Sequence, residues 1–168
     1  MDKEFVCVPV SFNQAQRLAS GHDEHDLQVF RVEDQLRDAF GLAHCEDEEA
    51  DRAAMLLASL WALTRYGRRI VLTAMVDPEL LGDGEETHNG GAYLETLKRP
   101  NVEALFTDEP QANDQVRLIA SRGLGHSALD EIWELAEVQH LLINHELLWY
   151  TLDELPTLGW SQDSLPAK

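Results

Sequence analysis

Cysteine is scarce in this chain, and long apolar runs are missing from it. Its 168 residues include only two cysteines, Cys7 and Cys45, which are too few for a disulfide framework. No apolar run approaches the roughly 18 residues of a membrane span. The first residues, Met-Asp-Lys-Glu, lack the basic and apolar parts of a secretory signal. These absences predict a soluble cytoplasmic protein that does not bind a membrane.

Motifs for nucleotide and covalent chemistry are also missing. The sequence has neither a Gly-x-Gly-x-x-Gly nor a P-loop cradle for phosphates, and it has no Gly-x-Ser-x-Gly nucleophile elbow. His145 and Glu146 resemble the start of a zinc-protease helix, but Trp149 stands where the second histidine ligand is required. We therefore predict no cofactor, leave any catalytic residues unassigned, and favour a protein that is not an enzyme.

Positive charge is scarce as well. The chain has 31 acidic residues against 13 basic ones, a formal net charge of −18, and no Lys or Arg lies between Arg122 and Lys168. Nucleic-acid binding through phosphates requires clustered Lys and Arg, so we expect no direct binding of nucleic acid. Strong acidity either keeps a protein soluble or attracts a basic partner. The sequence leaves the oligomeric state open.

Three carboxylates in this basic-free stretch are the candidate partner-binding residues. Asp130, Glu134 and Glu137 follow a helical i, i+4, i+7 spacing, with no Lys or Arg one turn on to relieve their repulsion. A solvated helix face would have the same pattern. We predict a non-enzymatic acidic module that binds a basic protein surface, or in a sharper form mimics nucleic acid. The alternative is a small metal-dependent or hydrolytic enzyme of unrecognised type.

Candidate metal ligands lie near the N-terminus. His22 and His25 are separated by two acidic residues, and imidazole with carboxylate suits zinc or nickel. A third ligand close in sequence is missing, and the nearest candidates are His44 and Cys45. The acidic run that includes Asp83 and Glu86 lacks the regular oxygen spacing of an EF-hand loop. We predict no metal site, with His22 and His25 as the candidates to test.

Helices alternate with apolar strands along the chain. The clearest helix spans residues 46–66, with apolar residues at helical spacing, acidic residues first and basic residues last. The alternation predicts one α/β domain over residues 1–155 and a C-terminal tail over 156–168. Its fold class is a mixed sheet of about five strands with helices packed on it. The early β-α-β-α-β run should be mostly parallel.

Residues 145–150, His-Glu-Leu-Leu-Trp-Tyr, are predicted to form the last strand. Trp149 would face one way, and Leu148 and Tyr150 the other. Because both faces are mostly apolar, we expect other elements to cover the strand on both sides.

Five segments resemble an uncharacterised family of short acidic actinobacterial proteins, known only as a domain of unknown function. The most specific is 145–150, and the others are residues 6–9, 32–37, 49–63 and 102–108. The chain departs from the family at 33–34, where Glu-Asp replaces Thr-Pro, and its 82–99 loop matches nothing in the family. The resemblance implies the family's fold and a bacterial cytosolic setting, and it implies no mechanism.

Overall fold

One seven-stranded sheet organises residues 2–43 and 45–158, the parts of the chain that the computed structural model describes. The strand order across the sheet is β4-β5-β2-β1-β3-β6-β7. In chain order the strands are β1 (Glu4–Pro9), β2 (Glu24–Phe30), β3 (Ile70–Val76), β4 (Leu81–Asp83), β5 (Gly91–Leu97), β6 (Val102–Thr107) and β7 (Leu148–Tyr150).

The predicted sheet of about five mostly parallel strands is wrong. Every pair of neighbouring strands is antiparallel. β2 and β3 do run in the same direction, but β1 lies between them and is antiparallel to both, even though a helix connects β1 to β2. A strand–helix–strand segment has the same sequence pattern whether its two strands are parallel or antiparallel. The pattern is also the same whether the two strands are neighbours in the sheet or another strand lies between them. The mixture of helices and strands was predicted, but their connection was not.

The helices cover both faces of the sheet, which gives three layers. The first α-helix, with the 3-10 helix Leu152–Leu158, packs on one face, and the remaining α-helices pack on the other. Residues 156–158 of the predicted tail belong to that 3-10 helix, and 159–168 lie outside the described residues. The helices are α1 (Phe12–Ala19), α2 (Asp34–Phe40), α3 (Asp47–Tyr66), α4 (Asn113–Ala120), α5 (Leu129–Trp133) and α6 (Ala136–Asn144).

The longest helix forms where the sequence predicts it. α3 has acidic residues in its first turn, Arg65 in its last turn, and Gly67 after it at a φ of +83°. Both ends therefore complement the helix dipole, and the glycine takes the left-handed conformation that ends the helix. Trp61 packs edge-on against Phe30 of β2, with ring centroids 6.0 Å apart. None of the helices within the described ranges is long and apolar enough to cross a lipid bilayer.

The central strands β1 and β3 are buried on both faces. Val6 and Val8 point to the α1 side, and Cys7 between them points to the α3 side, as alternation along a strand requires. Burial, and secondarily the charge of Asp51, raises the pKa of the Cys7 thiol far above its ordinary value. Cys7 is therefore a protonated core residue and not a nucleophile.

A buried ion pair joins the ends of three adjacent strands. Arg69 directly precedes β3 and is 0% exposed. Its Nε donates to Oδ2 of Asp108 at 3.0 Å, and its Nη2 donates to the backbone oxygen of His145 at 2.8 Å. Asp108 follows β6, and His145 lies just ahead of β7. One guanidinium therefore positions β3, β6 and β7 relative to one another.

We predict that Asp108→Ala lowers the free energy of unfolding by roughly 3–5 kcal/mol, because it leaves the buried Arg69 charge uncompensated. Asp153→Ala is the matched control, since it removes the carboxylate of an exposed pair with Arg99 and should cost at most about 1 kcal/mol. Urea unfolding of the two variants measures both values. Equal losses would show that the buried pair has no special role.

Candidate functional site

β7 lies at the edge of the sheet and is largely uncovered. A strand forms here as predicted, but it spans only Leu148–Tyr150 of the predicted residues 145–150, and the expected cover on both sides is wrong. Among the strands in the described ranges, only β6 pairs with it. Trp149 is 59% exposed and Leu148 is also exposed, whereas Tyr150 packs against the core on the α1 side. An apolar composition is the same for a central strand and for an edge strand, so the sequence could not distinguish them.

A groove of about 450 Å³ opens beside β7, between α3 and α6. Trp149 is paired with Phe106 across β7 and β6, so both rings lie on the α3 side of the sheet. α3 contributes Met55 and Leu56, and α6 contributes Leu142. The floor of the groove is therefore apolar and partly aromatic, which suits an apolar group of a ligand.

The rim of the groove is acidic. Asp51, Glu103 and Glu146 contribute carboxylates, and Arg52 is the one cationic side chain among the lining residues described. Arg52 Nη2 lies 3.7 Å from Oε1 of Glu146, so this cation is already partly neutralised. Partial burial, followed by the charge of nearby Asp47, raises the pKa of Asp51. An apolar floor with an acidic rim complements a group that is apolar and positively charged.

The structure separates the three carboxylates that the sequence placed on one helix. α5 ends and α6 begins between Asp130 and Glu137, so the two do not share a helix. Glu137 is paired with Arg122, and Asp130 contacts His88. Glu134 is exposed, and together with Asp130 it lines a second cavity of about 600 Å³. Binding of a basic partner to these residues stays a prediction.

Asp130 belongs to a polar cluster that sequence reasoning missed. His88 Nε2 lies 3.0 Å from Oδ2 of Asp130 and 3.7 Å from Oε1 of Glu86. Asn89 Nδ2 donates to Oδ1 of Asp130 at 2.8 Å and to Oε1 of Glu86 at 3.1 Å. One ligand atom from each of Glu86, His88 and Asp130 lies within 4.8 Å of the others. His88 and Asp130 are 42 residues apart in sequence, so no spacing motif could have indicated the cluster.

Close backbone contacts hold the loop that carries this cluster. Gln28 Nε2 donates to the backbone oxygen of Glu85 at 2.7 Å, and the Glu85 amide donates back to Gln28 Oε1 at 3.0 Å. Glu86 has a φ of +58°, and its Oε2 accepts a hydrogen bond from the Leu129 amide at the start of α5. A Cβ at Gly91 would lie 1.8 Å from the backbone oxygen of Glu85. The loop is therefore fastened to β2 and to α5.

Hydrogen bonding within the cluster favours the ionised form of Asp130. The hydrogen bond from Asn89, and to a smaller extent that from His88, lowers the pKa of Asp130 despite partial burial. Arg65, whose guanidinium lies 3.5 Å from the ring centroid of Trp61, is close enough to Glu86 to interact electrostatically. Burial lowers the pKa of Arg65, and the nearby carboxylates oppose this change.

The predicted metal candidates near the N-terminus do not gather a third ligand in the described residues. His25 lies in β2, where its Nδ1 is 3.2 Å from Oγ1 of Thr96, and exposed His22 precedes the strand. Within residues 2–43 and 45–158, the one group of three candidate ligands is that of Glu86, and it contains neither histidine. His44 lies outside the described residues.

The model of a family of unknown function, DUF6912, matches residues 5–158. The chain belongs to this family. The match confirms the resemblance to an uncharacterised family, and it spans every residue of the groove and of the polar cluster. A search of curated proteins finds no match to this chain, and a search of solved structures finds none either.

We predict that Gly91→Ala lowers the free energy of unfolding by about 1–3 kcal/mol, because the new methyl group collides with backbone. Gly82→Ala is the control, since the nearest atom to its Cβ is Tyr93 Cδ1 at 4.0 Å. The control should change stability by no more than about 0.5 kcal/mol. Thermal or urea unfolding measures both variants. A harmless Gly91→Ala would mean that the loop is not held as closely as described.

Proposed function

We propose that this chain is a cytoplasmic, non-enzymatic interaction module that binds a basic segment of a partner protein in the groove beside β7. One observation carries the proposal. Trp149 is 59% exposed on the wall of an apolar groove, and the rim of that groove has three carboxylates and one guanidinium. The basic partner expected from the sequence would therefore bind in this groove.

The apolar part of the groove supports a protein partner. Exposed apolar surface bounded by charged residues is typical of interaction sites. Tryptophan contributes strongly to such sites, because it buries a large area with little loss of side-chain entropy. Trp149 is held by a regular strand pairing to β6 and faces Phe106. It is therefore positioned before a partner arrives, which reduces the entropy cost of binding.

The charge of the groove supports a basic partner. The whole chain carries a formal net charge of −18, which attracts cations over long distances and speeds their association. At the rim, Lys or Arg side chains would meet Glu103, Glu146 and Asp51. β7 also presents an edge that no other described strand covers. An extended segment suits this arrangement, because an edge strand can pair with it while alternate side chains enter the groove.

Asp130, Glu134 and Glu137 remain a separate candidate surface for a basic partner. They lie near the other cavity and not in the groove. Asp130 and Glu137 already have partners within the chain. The groove offers both apolar area and unbalanced charge, so we place the main contact there and use variants to separate the two surfaces.

We predict that Trp149→Ala weakens the binding of a labelled peptide of alternating Lys and Leu by about tenfold or more, because the peptide loses its main apolar contact. Leu118→Ala is the matched control, since Leu118 is 55% exposed on α4 and does not line the groove. Fluorescence anisotropy measures the affinity. A peptide of alternating Glu and Leu should not bind, and binding of the basic peptide should weaken between about 50 and 300 mM salt. Equal affinities for the two variants would disprove the groove contact.

We predict that Glu103→Lys slows association of the basic peptide and weakens its binding several-fold, because it reverses a charge at the rim. Glu95→Lys, a change at an exposed position on β5 away from the groove, should leave binding nearly unchanged. Glu134→Lys tests the other surface. If Glu134→Lys weakens binding and Glu103→Lys does not, the basic partner binds at the Asp130–Glu137 region and the groove proposal is wrong.

A further inference from the structure

The side chains around His88 bring several polar groups within reach of one another. Nε2 of His88 lies 3.0 Å from a carboxylate oxygen of Asp130 and 3.1 Å from the amide nitrogen of Asn89. With a proton on Nε2, the imidazole donates to Asp130, and the two amide hydrogens of Asn89 donate to Glu86 and Asp130. The Nε2 proton then lies between the imidazole and the carboxylates, where a metal ion would also bind.

The Asn89 amide is the buried member of this group. Asn89 is 3% exposed, and its nitrogen lies within 3.1 Å of acceptor atoms of Glu86 and Asp130 as well as of His88. Its two hydrogens match the two carboxylates when Nε2 of His88 is protonated. Within the described residues, every hydrogen bond of Asn89 uses its backbone nitrogen or its side-chain Nδ2. Its side-chain oxygen accepts no hydrogen bond from these residues. Rotating the amide by half a turn would direct this oxygen into the cluster.

We infer that Glu86, His88 and Asp130 bind one divalent transition-metal ion, with the Asn89 side-chain oxygen turned inward as a fourth ligand. A cation would take the place of the Nε2 proton. It would accept the lone pair of the unprotonated Nε2 and neutralise the charge of the two carboxylates. A site with one imidazole nitrogen and several oxygen ligands suits zinc or manganese, whereas calcium and magnesium prefer oxygen ligands alone.

The geometry allows an ion to enter with small movements. Zinc bonds to nitrogen and oxygen ligands are about 2.0–2.2 Å long, so two ligand atoms on one zinc are at most about 4.4 Å apart. The ligand atoms here lie within 4.8 Å of one another. His88 and Asp130 are exposed and can rotate inward, whereas the bond from Leu129 holds Glu86 in place. This bond uses Oε2 of Glu86 and leaves Oε1 directed at His88.

A cavity gives the ion access to solvent. His88, Asn89 and Asp130 line the same cavity of about 600 Å³ as Trp133 and Phe40. These two aromatic rings pack edge-on, with centroids 5.2 Å apart. The ligands therefore lie on the wall of an open space with an aromatic side, and a bound metal would remain reachable from it. The groove beside β7 shares none of these residues, so this inference does not depend on the proposed function.

Zinc titration of the full chain, after chelation and buffer exchange, tests the site. We expect about one zinc per chain by calorimetry, with a rise in the unfolding temperature of roughly 5–10 °C when zinc is about 100-fold above its Kd. His88→Ala and Asp130→Asn should each abolish this binding. His25→Ala is the matched control, because it removes the histidine of the alternative N-terminal candidate, and it should retain the full stoichiometry.

Several outcomes would overturn the site. They are the absence of zinc binding in the unmodified chain, its retention in a folded His88→Ala variant, and its loss in His25→Ala. Far-ultraviolet circular dichroism before titration shows whether each variant is folded. If both single variants failed to fold, Mn²⁺ bound to the unmodified chain would decide the question, because its electron-spin spectrum must then show coordination by one histidine nitrogen. A spectrum with water and oxygen ligands alone would contradict the inference.

Asn89→Asp distinguishes a metal ligand from a simple hydrogen-bond donor. The change keeps an oxygen at the position but adds a third carboxylate, so the metal-free protein should unfold at a lower temperature. If the position ligates the metal, zinc should raise the unfolding temperature of this variant by more than it raises that of the unmodified chain. An equal or smaller zinc effect would remove Asn89 from the set of ligands.

Discussion

The buried Arg69–Asp108 pair is the constraint on which the outer half of the sheet depends. A guanidinium with no exposure to solvent is costly unless it is paired, and Nη1 of Arg69 has no hydrogen-bond partner in the described part of the chain. Asp108 therefore provides most of the compensation. The same guanidinium also donates to the backbone oxygen of His145, and this further hydrogen bond forms only when the segment ahead of β7 lies beside the end of β6. The groove exists as a consequence of that placement.

His145 has a structural role at this junction. Its backbone oxygen accepts from Arg69, and its ring nitrogen Nδ1 lies 3.0 Å from the Glu109 carboxylate. Both contacts are to residues at the ends of β3 and β6. The next residue, Glu146, is then directed to the rim of the groove, where it meets Arg52. A pair of residues that resembles a zinc-protease motif is thus used to attach an edge strand.

α3 separates the two surfaces to which we assign functions. Met55 and Leu56 face the groove beside β7, whereas Leu57 lines the cavity next to His88. The helix is packed against the sheet along most of its length, so it forms a rigid wall for both. Binding at one surface need not alter the other, because each is held by its own contacts. The groove depends on the Arg69 pair, and the polar cluster depends on the loop fastened by Gln28.

Local features of the sequence were sufficient for much of the secondary structure. The acidic start and glycine end of α3, the apolar runs of β3 and β6, and the capping box of Ser11 and Gln14 all act within a few residues. The order of the strands was not predictable in this way, because the insertion of β1 between β2 and β3 leaves no local trace. β4 was also not predictable, because it is only three residues long and lies in a segment that has the composition of a loop.

The sequence by itself determined the charge, the two-faced apolar character of the 145–150 segment and the membership of an uncharacterised family. Tertiary structure alone decided what these features mean. It exposed Trp149 at an edge, because the strand order is a property of long-range pairing. It also brought His88 to Asp130, because the contact joins residues 42 positions apart. Neither outcome is encoded in spacing, since each depends on which elements the chain packs side by side.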